Sequence, residues 1–228
     1  MTIEAEWRGL IEPAADLAVK SQNMVLTLGN EHDDIRRLMF KYRSYTPIPF
    51  VIVMGWLAEP SVLSLVIGFA IVLIGEALRF WGVSIVGAET RTTGAVGGTY
   101  LITNGPFAYM RNPLYVGNML LYAGVGVMSM ALFPWLLIVA VAWFYFQYYL
   151  IVTKEEEYLA ERFAAEYDDY RRQVGRFWPR LTAFKAPHPP PKKVDPAEGL
   201  ASERRTLQAI TLVTLMIVAI YVIKQLRG

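Results

Sequence analysis

Cysteine is absent from this chain, and histidine occurs only twice, at His32 and His188. The first absence excludes disulfides, thiolate nucleophiles and cysteine-held metals. The two histidines are far apart, in charged or proline-rich surroundings, so no metal site is expected. Charge of one sign is also scarce: the formal net charge is +2 over 228 residues. No bulk basic field argues for a nucleic-acid partner. The N-terminus is acidic and lacks a compact apolar core, so no cleavable signal peptide is expected. No repeat of fixed period is visible.

What the chain has is apolar length. Hydrophobic residues make up 54% of it, and mean hydropathy is +0.32. That is ordinary for a small helical membrane protein. Val62–Val86 is long enough to cross about 30 Å of hydrocarbon at 1.5 Å per residue. Ile48–Ala58 is apolar but short, with Pro47 and Pro49 limiting its regularity; 47–58 and 61–86 read as an antiparallel hairpin. Leu114–Met130 and Leu132–Val152 read as a second hairpin, broken at Phe133-Pro134, and Leu207–Ile223 as a last span. The expectation is an all-α integral membrane protein of about five transmembrane helices, with a cofactor pocket on the cytoplasmic side. Four segments follow: 1–45, amphipathic and cytoplasmic; 46–185, the membrane core; 186–205, a proline-rich linker; and 206–228, the C-terminal span. Lysine and arginine set the orientation. Segment 31–46 carries four, 87–113 two and 153–205 eleven, whereas the turns at 59–60 and 129–134 carry none. The basic segments should share the cytoplasmic face.

The polar passage Leu101–Gly117, LITNGPFAYMRNPLYVG, lies between two apolar spans. Gly105-Pro106 and Asn112-Pro113 are turn signals. Asn104 and Asn112 can close Asx-type turns, and Gly117 permits close approach of backbone or ligand. Beyond the fourth apolar stretch, Leu159, Phe163, Tyr167, Tyr170 and Val174 recur at steps of four and three, defining one apolar helix face. Four residues back from Leu159 is Glu155. It falls on the buried stripe, with Glu156 and Glu157 rotated away. A carboxylate on an apolar face needs a partner; Arg111 or a bound cation would supply one. A ligand role and a structural salt bridge both remain open. Glu76 and Arg79, three apart inside an apolar span, read either as an internal ion pair or as the lining of a substrate cavity. The aromatic run from Trp143 to Tyr149, which includes Tyr148, reads as an interfacial belt, one face of which could line a lipid-entry tunnel.

These residues resemble the isoprenylcysteine carboxyl methyltransferase and phospholipid N-methyltransferase superfamily. Gly105, Phe107, Arg111, Asn112, Pro113, Tyr115 and Gly117 follow its signature loop. Leu78–Gly82 matches an upstream block. Glu155-Glu156, through Phe163, Tyr167, Tyr170, Val174 and Pro179, matches a downstream one. The resemblance covers roughly residues 65–182 and implies S-adenosylmethionine as cofactor, with a lipophilic acceptor drawn from the bilayer. Carried over by position, the cofactor contacts are Thr99, Tyr100, Leu101, Ile102, Phe107, Asn112, Pro113, Leu114, Tyr115 and Glu155. Arg111 and Glu155 are the pair expected to carry the chemistry, and Glu76, Arg79 and Tyr148 the substrate side. Many relatives have His where Asn112 stands. Carboxyl-methylating relatives also carry an arginine at the position of Ile151, which favours an amine or other lipophilic nucleophile here. Two other readings differ in class: an NADPH-dependent sterol or ene reductase, which NADPH oxidation would reveal, and a non-enzymatic membrane adaptor, which should tolerate loss of Glu155.

Overall fold

The computed structural model describes residues 35–87, 100–187 and 194–227. Thr99 and His188 therefore lie outside the described residues, as do His32, most of the 1–45 segment and part of the 186–205 stretch. Of the first compact unit, Met1–Tyr42, residues 35–42 are described, and they are helical. The second unit, Arg43–Gly228, is built from helices alone among its described residues. These are α1 (Pro47–Trp56), α2 (Val62–Val86), α3 (Pro113–Ser129), α4 (Trp135–Gln173) and α5 (Pro196–Arg227), with one short 3₁₀ turn at Gly105–Ala108. The all-helical expectation holds. Three of the helices, α2, α4 and α5, are long and apolar enough to cross a membrane. The other two expected spans are shorter: α1 has 10 residues and α3 has 17.

Glycine decides how the two central helices meet. Gly68, Gly75 and Gly82 recur every seven residues on α2, and Gly117 and Gly124 do so on α3. A seven-residue step returns to nearly the same helix face. A Cβ at Gly75 would lie 2.9 Å from the Gly117 carbonyl, and one at Gly117 would lie 2.9 Å from the Gly75 carbonyl. Gly124 meets the Gly68 carbonyl at 2.7 Å in the same sense. Small residues let helix backbones approach closely where no hydrophobic force acts between them. The two helices run antiparallel, and no residue of α3 is exposed. Gly75→Ala must push backbone against backbone, so it should destabilise the bundle by roughly 1–3 kcal/mol. A thermal midpoint in detergent equal to that of the native chain would contradict this packing.

Around α3 lie α2 on one side and α1, α4 and α5 on the others. The expected pairing of 47–58 with 61–86 is not the main contact of α1: it packs chiefly on α3 and α5. Between α1 and α2 the chain turns at Leu57–Pro60 without forming a packed hairpin, because α3 already fills the glycine face of α2. α2 begins at a capping box in which the Ser61 and Ser64 side chains accept from each other's backbone N–H. Its outward face carries Val62, Leu63, Val66, Leu73 and Ile74, all exposed. Such a surface suits acyl chains rather than water.

α5 begins at Pro196, ten residues before the span expected from 206, so part of the stretch read as linker is helical. Its first turns pack on the end of α2. Gly199 lies so close to Ser84 that an added Cβ would fall 2.3 Å from Oγ, and Ser202 Oγ donates to the Gly87 carbonyl at 3.3 Å. At the other end Lys224 pairs with Glu59 at 2.6 Å, and the Glu59 N–H donates to the Ser129 carbonyl. The ends of α2 and α5 thus fix two poles. The signature loop, the polar half of α4 and the start of α5 gather at the pole opposite Glu59.

Candidate functional site

The loop and the tail of α4 are tied together by main chain. The Arg111 N–H donates to the Gly175 carbonyl, that of Arg180 to Tyr109 and that of Phe184 to Ala108, each at 2.9 Å. The Tyr170 hydroxyl donates to the Phe107 carbonyl at 2.6 Å. Beneath these bonds Leu101, Ala108, Tyr167, Tyr170, Val174 and Phe184 form one buried cluster, with Leu159 and Phe163 packed against it. The apolar stripe read from the sequence is therefore the face that α4 turns to the loop. At Ala164, φ 42 interrupts α4 and redirects its last turns toward the loop. Gly105 sits at φ 59, and a Cβ there would strike Ile85 Cδ1 at 2.1 Å. Only glycine satisfies both the backbone angle and the space.

Glu155 meets α3 rather than Arg111. Its Oε1 accepts from the Tyr115 hydroxyl at 2.7 Å, and among the described residues its Oε2 accepts no hydrogen bond. The residue is half-buried. It lies beyond the uncharged stretch 135–152, the part of α4 that can cross a membrane. Burial pushes its carboxyl up to about 7, against the Tyr115 hydrogen bond and the nearby Arg43 charge, which favour ionisation. Arg43, one of the four basic residues of segment 31–46, is therefore a neighbour of the site.

The expected Arg111–Glu155 pairing is replaced by Arg111–Glu156. Arg111 Nε donates to Glu156 Oε1 at 2.9 Å, and Arg111 Nη1 donates to the carbonyls of Arg171 and Val174. Arg176 grips the other oxygen, Oε2, through Nη2 at 2.7 Å and Nε at 3.2 Å. Asn112 donates to Glu156 Oε1 at 3.4 Å and to the Arg176 carbonyl at 3.2 Å, and does not cap α3. Glu156, expected to face away, is 13% exposed and joins the loop to the segment after α4. A helical wheel drawn for α4 alone does not see this, because the two arginines arrive from elsewhere. The RFWPR run at 176–180 was the available signal.

The remaining candidates separate. Pro113 is buried at the first turn of α3, and Leu114 packs under Gly82. Ile102 and Phe107 are half-buried beside the loop, Leu101 is buried in the cluster, and Tyr100 is 52% exposed and apart from it. Tyr148 is 2% exposed, so it does not line an open tunnel; its ring lies 4.8 Å from that of Tyr115. Glu76 and Arg79 do not pair with each other. Arg79 pairs with Glu203 of α5 at 2.6 Å, while both Glu76 oxygens are buried and have no hydrogen-bond partner among the described residues. No group of histidine, aspartate and glutamate able to hold a metal occurs among the described residues.

The chain is 35% identical over 88 residues to the nickel-cobalt-cadmium resistance protein NccN of Alcaligenes xylosoxydans xylosoxydans, covering 39% of this chain and 40% of that protein. It is 30% identical over 132 residues to the cobalt-zinc-cadmium resistance protein CzcN of Cupriavidus metallidurans, covering 58% of this chain and 55% of that protein. The chain thus spans about half the length of these curated relatives. No solved structure matches. Residues 63–166, which run from α2 through the loop and α3 to the bend in α4, match the model of the phospholipid methyltransferase family. The matched stretch carries the loop, the glutamate pair and the glycine-packed helices α2 and α3, and over these residues the chain is similar to the phospholipid methyltransferase family.

Proposed function

We propose that the chain transfers a methyl group from S-adenosylmethionine to a lipophilic acceptor held in the membrane, with the cofactor side facing the cytoplasm. The observation that carries this reading is the Glu155 carboxylate. Tyr115 orients it through one oxygen, and among the described residues the other oxygen accepts no hydrogen bond. A half-buried carboxylate with an open oxygen fits a cationic ligand.

The donor set suits the cofactor. Glu155 would take its ammonium group. Phe107 and Tyr115 offer ring faces for adenine or for the sulfonium. Arg111 holds the loop that carries these groups, since its Nε and Nη1 are engaged by protein acceptors. When bound, the cofactor supplies an electrophilic methyl group. The residues around it align and shield, and alignment alone can lower a barrier by several kcal/mol. The acceptor reaches the site from the bilayer through the apolar flank. Ile151 is buried where carboxyl-methylating relatives place an arginine, which supports an amine or another nucleophile over a carboxylate.

Calorimetric titration of the folded, detergent-solubilised chain with S-adenosylmethionine tests the cofactor. Saturable binding is expected, with none for NADPH. No heat with the first ligand removes the proposal. Incubation with methyl-labelled cofactor and a native membrane extract then identifies the acceptor as whichever lipid carries the label.

A further inference from the structure

Arg79 sits where three helices meet. Its Nη2 donates to both oxygens of Glu203, at 2.6 and 2.9 Å, and to Thr206 Oγ1 at 3.4 Å. Its Nη1 donates to Asn118 Oδ1. Glu203 is 1% exposed and Arg79 13% exposed. Glu203 and Thr206 belong to α5, outside the matched residues 63–166. Two features make room for this junction. A Cβ at Gly117 would fall 2.4 Å from Arg79 Cγ, so the last glycine of the loop motif lets the arginine stem cross α3. The contacts of Gly199 and Ser202 with the end of α2 hold α5 at the depth where Glu203 reaches Arg79.

The contacts continue from there to the cofactor side. Arg79 occupies the carbonyl oxygen of Asn118, and this fixes which end of that amide faces away. The amide adjoins the Tyr148 hydroxyl, which in turn lies 3.5 Å from the Tyr122 hydroxyl. The ring of Tyr148 lies 4.8 Å from that of Tyr115, and Tyr115 holds Glu155.

The geometry points to Glu203 as a positioning residue of the methyl-transfer site. Through Arg79 and Asn118 it sets the placement of Tyr148 and Tyr115, and so of the Glu155 carboxylate. This rests on the function proposed above. α5 is then part of the working site and more than a membrane anchor.

The test uses the full chain in detergent, with fluorotyrosine placed at position 115 and read by ¹⁹F NMR. Removing one partner alone leaves a buried unpaired charge and risks unfolding, so Arg79→Met and Glu203→Met are made together. Replacing a buried ion pair by apolar groups of similar volume is often neutral for stability. The expected result is a native-like thermal midpoint, a displaced Tyr115 resonance, and a kcat for methyl transfer lowered about tenfold or more with KM for the acceptor little changed, since small misplacements are costly in rate. A second variant, Asn118→Leu, leaves the ion pair intact and cuts the chain beyond it; it should displace the same resonance, and it decides the matter if the double variant melts early. A Tyr115 resonance unmoved in the folded double variant, or in Asn118→Leu, overturns the proposal. A displaced resonance in a protein that neither binds S-adenosylmethionine nor transfers methyl groups leaves the positioning chain standing and removes the function.

Discussion

Glu156→Ala should loosen the signature loop and lower stability by roughly 3–5 kcal/mol, the range for breaking a buried ion pair by removing one partner. The carboxylate is 13% exposed and is the common acceptor of Arg111, Arg176 and Asn112. Without it, two guanidinium groups face each other with no counter-charge between them. Arg111 retains its bonds to the carbonyls of Arg171 and Val174, and Arg176 retains Thr153, so the loss should be local before it is global. Hydrogen exchange would show this as early opening of residues 105–112 and 174–184 while the amides of α2 and α3 stay protected. Glu156→Gln keeps the shape and two polar ends but removes the charge; it should fall between the alanine variant and the native chain. Equal protection of the loop in the native and alanine proteins would show that the backbone bonds to Gly175, Tyr109 and Ala108 suffice by themselves.

Much of this arrangement was legible in the sequence because it is periodic or local. The stepping from Glu155 through Leu159, Phe163, Tyr167, Tyr170 and Val174 follows helix geometry alone, and it found the face of α4 that meets the loop. The glycines at 68, 75 and 82, opposite 117 and 124, were equally visible at a spacing of seven, yet their meaning needs both helices side by side. What escaped was pairing across long separations. Arg79 finds Glu203 at a separation of 124 residues, and Arg111 finds Glu156 at 45. A charge looks for the partner that folding brings near, and the nearest opposite charge in the sequence, Glu76 for Arg79, was not that partner. Glu155 and Glu156 differ by one position and by 100° around the helix, so one reaches Tyr115 and the other the arginines. The start of α5 was hidden by its proline-rich approach. Pro196 opens that helix, a place where its missing N–H costs nothing.

Glu155→Gln should weaken S-adenosylmethionine binding roughly 10- to 100-fold, the equivalent of a charge-assisted hydrogen bond of about 1.5–3 kcal/mol. Tyr115 can still donate to the glutamine carbonyl oxygen, so the fold should survive and the loss should appear in cofactor affinity. The pH dependence separates this from a steric effect. Burial pushes the Glu155 carboxyl up to about 7, so below that value most of the protein carries it neutral, and a neutral acid attracts an ammonium group weakly. Affinity of the native chain should rise several-fold between about pH 6 and about pH 7.5 as the carboxylate ionises, then fall as the cofactor's own amine, with a pKa of roughly 7.7–8.0, loses its charge. Binding should also pull the carboxyl downward, because the ammonium favours the ionised form, and so release protons in weakly acidic buffer. In Glu155→Gln the acid limb should vanish while the alkaline limb, which belongs to the ligand, remains. Tyr115→Phe offers the complementary case. It keeps the ring but removes the hydrogen bond that favours ionisation, so the acid limb should move to higher pH. An acid limb that persists in Glu155→Gln would assign the titration to another group and take the ammonium away from Glu155.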